Sequence, residues 1–173
     1  MLDWTENPFI ALYFALTSAH HRYRDDIAYY PNRVAVWVLE PEVWNQWAFE
    51  EIKQISYVPR IPSADDDHLH AYDPRRPERL SERPVAMFGT HTSLRMAVQR
   101  GTFVIFGKET RPMEEIYSED DFPVNALVKL EILAKSIPGL LESLRAVGIT
   151  DSVVFPDLEG LAMEARRDFG FEV

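Results

Sequence analysis

An α+β (or α/β) domain, one mixed β-sheet with helices packed on it, is the fold class this sequence predicts, and three observations predict it. Short valine-rich apolar runs of strand length alternate with stretches that carry helix caps and a helical period. No internal repeat, low-complexity tract or linker divides the chain, so residues 1–173 read as a single domain. The 46% hydrophobic and 27% charged content is ordinary for a globular chain of 173 residues, long enough to bury about two thirds of its unfolded surface.

The chain opens on MLDWTENPFIALYFAL, a polar turn carrying Asp3, Trp4, Thr5, Glu6 and Asn7 joined to a helix. Asn7 can cap the free amides, and Pro8 suits the first helical position because its missing N–H would be unpaired there anyway. The helix is expected from Pro8 to about His20. Phe9, Ile10, Leu12, Tyr13, Phe14 and Leu16 make it apolar on nearly every side, which predicts burial on all sides. The run is far short of the roughly 20 residues of a membrane span. Asp3 and Glu6 also stand where a signal peptide carries positive charge. His20, His21, Arg22 and Arg24 fall at the expected C-terminal end, where the helix dipole favours positive charge, and the His pair is read that way rather than as a chelate.

RVAVWVL, from Arg33 to Leu39, is bounded by Pro31-Asn32 and Glu40-Pro41 and reads as a central strand covered on both faces. Pro41 then opens a helix, EVWNQWAFEEI. Its Trp44 and Trp47 are read as core or half-core packing, with a stacking surface for a base or sugar as the alternative. Residues 61–83 form a long charged surface loop with three prolines. Asp65, Asp66, Asp67, His68 and His70 lie in it, but the segment has no strand pattern to hold two imidazoles on one face, so it reads as a solvated acidic loop and no metal is expected. Arg75, Arg76, Arg79 and Arg83 read as its charge balance, with anion binding as the alternative.

Order returns with PVAMF as a strand. Thr92 or Ser93 caps the helix SLRMAVQR, Gly101 stops it, and TFVIFG is the next strand. After a charged connection, ALVKLEIL reads as a strand. Ser136 caps IPGLLESLRAVGI, whose Pro138 is tolerable in the first turn, and Gly148 is its C-cap. SVVFPDLEGLAMEARRDFG then predicts a short buried strand, a Pro-Asp turn and a terminal amphipathic helix.

Zero cysteines exclude a disulfide framework, a thiol nucleophile and a zinc-thiolate site, and fit a reducing cytoplasm. A formal charge of −10 argues against a surface built for duplex nucleic acid, though not against a small nucleotide. There is no Gly-rich phosphate loop, nucleophile elbow, His-Glu-x-x-His or paired-glycine dinucleotide motif.

Three stretches in order, L-D-W-T-E-N-P with A-L-Y-F-A, then Arg95, Gln99, Gly101 and Phe103 as Arg-x-x-x-Gln-x-Gly-x-Phe, then F-P-D-L-E-G-L-A, resemble the three later signatures of the FRG domain, a bacterial and phage family. The family's Phe-Arg-Gly segment and its Gln-His-x-Gly-x-Pro-Thr-Arg-like run are absent, so the chain resembles an N-terminally truncated member. The resemblance implies a distant likeness to the ADP-ribosyltransferase layout and hence NAD as cofactor. Thr5 and Trp4 would line the nicotinamide side, and Arg95 and Gln99 would help hold substrate. The truncation also implies exposed apolar surface on the first helix and self-association.

Read from the residues alone, Asp3 beside Trp4 in a buried turn would have a raised pKa and serve as acid or base; the other role open to Asp3 and Thr5 is to cap backbone amides. Arg95 and Gln99, four apart, share a helix face that either takes an anion or ties down neighbouring loops. Two functions follow: an NAD-using ADP-ribosyltransferase-like effector in bacterial or phage conflict, or a non-catalytic module, or inactive remnant, that binds a protein partner.

Overall fold

The structure, a computed structural model, describes residues 1–24, 27–49, 72–73, 75, 80–90, 92–119 and 122–170. Its class is α+β. In chain order the described elements are β1 (Leu2–Thr5), α1 (Pro8–Thr17), β2 (Arg22–Arg24), β3 (Ile27–Tyr29), β4 (Val34–Leu39), α2 (Pro41–Ala48), β5 (Val85–Phe88), α3 (Leu94–Gln99), β6 (Gly101–Ile105), α4 (Met113–Glu119), β7 (Leu127–Ile132), a 3-10 turn (Ala134–Ser136), α5 (Ile137–Ala146), α6 (Asp151–Val154) and α7 (Leu158–Asp168). The one mixed sheet expected from the sequence is not what forms. The described strands divide into three small sheets, ordered β1-β6-β5, β2-β3 and β4-β7. Most of these strands are three to five residues long, at the short end of the usual range, so each offers few ladder positions to a neighbour.

The chain gathers into two compact units, each with its own apolar core. The first comprises Met1–Trp4, Trp37–Thr90 and Gly101–Val128; the second comprises Thr5–Val36, His91–Arg100 and Lys129–Val173.

In the first unit Trp44, Ala48, Ala86, Val104, Met113, Ile116 and Leu127 are buried together, with Trp4, Trp37, Trp47 and Phe122 packed half-buried around them. Trp44 stacks on Phe122 at 4.6 Å between ring centroids and donates its Nε1–H to the Pro84 carbonyl at 2.9 Å. The reading of Trp44 and Trp47 as core thus holds. β5 and β6 pair antiparallel, Val85 opposite Ile105 and Phe88 opposite Thr102. On the other edge of β5, the buried Asn45 amide donates to the Ala86 carbonyl at 2.9 Å and accepts the Ala86 N–H at 2.8 Å. One side chain thereby does the work of a neighbouring strand and closes the sheet edge. Arg83, expected to balance the acidic loop, lays its guanidinium 3.9 Å from the centroid of the Trp47 ring and donates to the Trp47 carbonyl. Arg75 does pair with an acid, Asp73 at 2.9 Å. Asp65–Asp67, His68, His70, Arg76 and Arg79 lie outside the described residues.

In the second unit Ile10, Tyr13, Leu16, Ile137, Leu144 and Val154 form the core. α1 is not buried on all sides: Ile10, Tyr13 and Leu16 recur at three-residue steps and face the core, whereas Phe9 and Phe14 are exposed. The helix ends at Thr17, so His20 and His21 lie beyond it and Arg22 and Arg24 are in β2, which pairs antiparallel with β3. Asn7 caps α1 as expected, accepting the Phe9 N–H at 3.0 Å. The stretch before it is strand rather than turn as far as Thr5.

Ser93 caps α3 through Met96 N–H at 3.2 Å, but the left-handed residue at its end is Arg100, with φ 47°, and Gly101 already begins β6. β4 is half-buried along most of its length, and Val38 is exposed, so it is not a strand covered on both faces. The charged connection after β6 contains α4, whose Met113 and Ile116 reach the first core. Ser136 precedes α5 without a side-chain cap bond, because the 3-10 turn already holds it in helical geometry; Gly148, expected as the C-cap, lies one residue beyond it, after Val147, and takes the left-handed φ of 81°.

The largest local departure is Ser152 to Val154, which is helical where a strand was expected. Asp151 opens α6, and the Phe155 N–H returns to the Asp151 carbonyl at 2.8 Å, closing one helical turn. α7 then starts from Asp157, whose carboxylate accepts the Gly160 N–H at 2.9 Å. Its polar side faces its own unit: Gly160 is buried, Glu164 accepts the Ser152 N–H at 2.9 Å, and Arg167 reaches Asp151. Among the described residues, no helix is long and apolar enough to cross a membrane.

Candidate functional site

The parts of the three signature-like segments that belong to the second unit, from Thr5 on in the first, up to Arg100 in the next and from Phe155 in the last, are brought together there. Thr5 lies where β1 ends and α1 has not begun. Its hydroxyl donates to the Gln99 carbonyl at 2.5 Å and accepts the Asn7 N–H at 3.0 Å. The next residue repeats the tie through its backbone, Glu6 N–H to the Arg100 carbonyl at 3.1 Å. The carbonyls of Gln99 and Arg100 are open to these donors because they belong to the last turn of α3, where no residue further along the helix claims them. The left-handed Arg100 then turns the chain out of α3 into β6.

Gln99 carries the connection onward. Its side-chain amide donates to the Val154 carbonyl at 3.0 Å, at the end of α6. One turn earlier on the same face of α3, the Arg95 guanidinium lies 4.3 Å from the centroid of the Phe155 ring. Phe155 also packs edge-on against Tyr13 and Phe14 of α1, at 6.2 and 5.9 Å between centroids. The chain after Phe155 comes so close to α7 that a Cβ on Gly160 would stand 2.0 Å from the Phe155 carbonyl oxygen.

Thr5, Arg95 and Gln99, three of the five residues singled out from sequence, are thus brought together. Asp3 and Trp4 fall in the first unit. Asp3 is exposed on β1, not set in a buried turn, because consecutive strand residues point to opposite faces and Trp4 takes the inner one. Trp4 packs on the first core, and its Nε1–H is buried with no hydrogen-bond partner among the described residues.

A second constellation was not legible in the sequence. Asp151 is 4% exposed, accepts the Tyr13 phenol hydrogen at 2.5 Å through Oδ1, and lies 2.9 Å from Arg167 Nε through Oδ2. A buried carboxylate needs such partners, and here it has one on each oxygen. Burial, and then the hydrogen bond to Asp151, push the Tyr13 phenol above its usual range, so it stays a hydrogen donor at neutral pH. The cleft lined by Tyr13, Thr17, Leu141, Arg145, Thr150 and Arg167 has a volume of about 10 Å³, room for roughly one water molecule. Tyr13 and Asp151 are 138 residues apart, and the only sequence signal for the pair was Tyr13's place in A-L-Y-F-A.

Among the described residues, no group of three His, Asp or Glu side chains stands close enough to hold a metal. Comparison with protein-family models, with curated proteins and with solved structures returns no match.

Proposed function

We propose that this chain is a non-catalytic protein-binding module of the FRG kind, in which the signature residues clasp three segments of one unit. The observation that carries this reading is the Thr5 hydroxyl. Its only hydrogen goes to the Gln99 carbonyl and its oxygen receives the Asn7 N–H, so donating to a substrate, or losing the proton to act as a nucleophile, would mean giving up the Gln99 bond. The Gln99 amide is likewise engaged, on Val154. Pockets for cofactors of dinucleotide size run to several hundred Å³, against about 10 Å³ beside Tyr13 and Asp151.

A second reading, an NAD-using ADP-ribosyltransferase-like effector of the cytoplasm, draws on Arg95. Its guanidinium is exposed and stacked on Phe155, and its N–H edge has no hydrogen-bond or ion-pair partner among the described residues, an arrangement suited to a pyrophosphate or carboxylate. Calorimetric titration of the purified chain with NAD into the millimolar range separates the two. The module reading expects no heat of binding, together with retrieval of one protein partner on an affinity column. Saturable binding that is lost in Arg95→Ala, with the fold intact by circular dichroism, would overturn it in favour of the enzyme.

A further inference from the structure

α7 is turned inside out relative to an ordinary surface helix. Such helices bury an apolar stripe and show water a polar face. Here Gly160, Glu164 and Arg167 face the helix's own unit, while Leu158 (84% exposed), Leu161 (57%) and Phe169 (79%), with the exposed Ala162 and Ala165, face outward. Leu158, Ala162, Ala165 and Phe169 follow one another at spacings of four, three and four, which is one seam of a two-helix packing.

We propose that this seam is the contact surface of a homodimer, in which α7 packs antiparallel against α7 of a second copy about a two-fold axis. The face is complementary to itself in size and in charge. With the axis at the midpoint of Leu158–Phe169, Ala162 of one copy meets Ala165 of the other, and each Leu158 meets the Phe169 of the second copy. Small residues at the centre let the helices approach closely, and large ones fill both ends. In the same register Glu159, flanking the seam on one side, comes opposite Arg166 of the second copy, and the two-fold axis makes that pair twice. Both side chains are exposed, and neither has an ion-pair partner within its own chain among the described residues.

Size sets the strength. Eleven helical residues span about 16 Å, and such a face removes on the order of 400 Å² per copy, about half of what a stable interface buries. The dimer is therefore weak, with a dissociation constant on the order of 10 to 100 µM, and it loosens with salt.

Sedimentation equilibrium of the full chain from about 5 to about 500 µM, spanning that constant, tests the proposal. The expected result is a monomer–dimer equilibrium, abolished by Ala162→Glu, weakened at least about fivefold by Glu159→Arg, and restored by Glu159→Arg with Arg166→Glu. All three positions are exposed, and far-ultraviolet circular dichroism checks that each variant folds. A monomer at every concentration overturns the proposal. So does a dimer indifferent to Ala162→Glu, or a double variant that stays as weak as Glu159→Arg alone.

Discussion

If Thr5 is a clasp, removing its hydroxyl must destabilise the fold, and Thr5→Val is the cleanest way to ask. Valine keeps the branched shape and the strand preference of threonine and deletes one oxygen. Two partners lose their bond, the Gln99 carbonyl and the Asn7 N–H. Both bonds are partly buried, so each is set near the lower end of the cost of an abandoned partner, about 1 kcal/mol. The sum is about 2 kcal/mol, and at 2–4 °C per kcal/mol for a chain of this size the melting temperature should fall by about 4–8 °C. Thr5→Ser, which keeps the donor and acceptor, should recover most of it. Because the chain has two cores, amide hydrogen exchange at Asn7 is the sharper assay: its protection should drop in the valine variant and persist in the serine variant. A Thr5→Val protein within about 0.5 kcal/mol of the parent, with Asn7 still protected, would refute the clasp and free the hydroxyl for chemistry.

Tyr13 makes a prediction in pH. Its phenol is held above the ordinary value of 10.0, first by burial and then by the Asp151 hydrogen bond. The unfolded chain loses that proton near pH 10 while the folded chain keeps it, so this contribution is complete below about pH 10 and is lost as pH rises beyond it. Urea midpoints measured between about pH 9 and 11.5 should therefore decline more steeply for the parent than for Tyr13→Phe, which should itself be weaker by about 2 kcal/mol at pH 7; parallel slopes would contradict the assignment. Gly160→Ala puts a methyl group 2.0 Å from the Phe155 carbonyl oxygen and 2.8 Å from that of Asp151, both backbone atoms with little room to yield. It should cost on the order of 2 kcal/mol in thermal denaturation, despite alanine's better helix propensity, and an unchanged or raised melting temperature would show that α6 and α7 can part there.

What could be read from the chain was local chemistry. Asn7 and Ser93 cap helices because a short polar side chain followed by a helical run has few other uses, and the structure has both of these bonds. Apolar runs at Val85–Phe88 and Leu127–Ile132 are strands. The α+β class followed from those elements. The partition of apolar residues between two cores did not, because hydrophobicity says that a side chain is buried and not with whom. Valine-rich VAVWVL looks like the centre of a sheet and instead forms half-buried strand β4, paired among the described strands with β7 alone. Ser152 to Val154 is a strand by composition, but one turn closed on Asp151 prevails.

The candidate site divides the same way. Arg95 and Gln99 were expected to share a face, and they do, because a helix of any sequence imposes it. That Gln99 would receive Thr5 at its carbonyl and give its amide to Val154 depends on segments 94 and 55 residues away, which no spacing rule connects. Asp3 was misplaced for a simpler reason. Once Leu2–Thr5 is extended, adjacent residues part company, and Trp4 draws the inner side.

The interleaving of the two units has a consequence during synthesis. Each is stitched from three separated stretches of chain, so neither corresponds to an uninterrupted segment that a ribosome completes early. Ile10 of α1 cannot reach its core companions Ile137 and Val154 until well over a hundred further residues have been made. At about 5–20 residues per second that is a wait on the order of ten seconds. Throughout it PFIALYFALT, a nearly uninterrupted oily segment, has none of those later partners to cover it. A holding chaperone that engages extended apolar chain should find its principal target there, and the growing chain should be most prone to aggregate just before Ile137 leaves the exit tunnel.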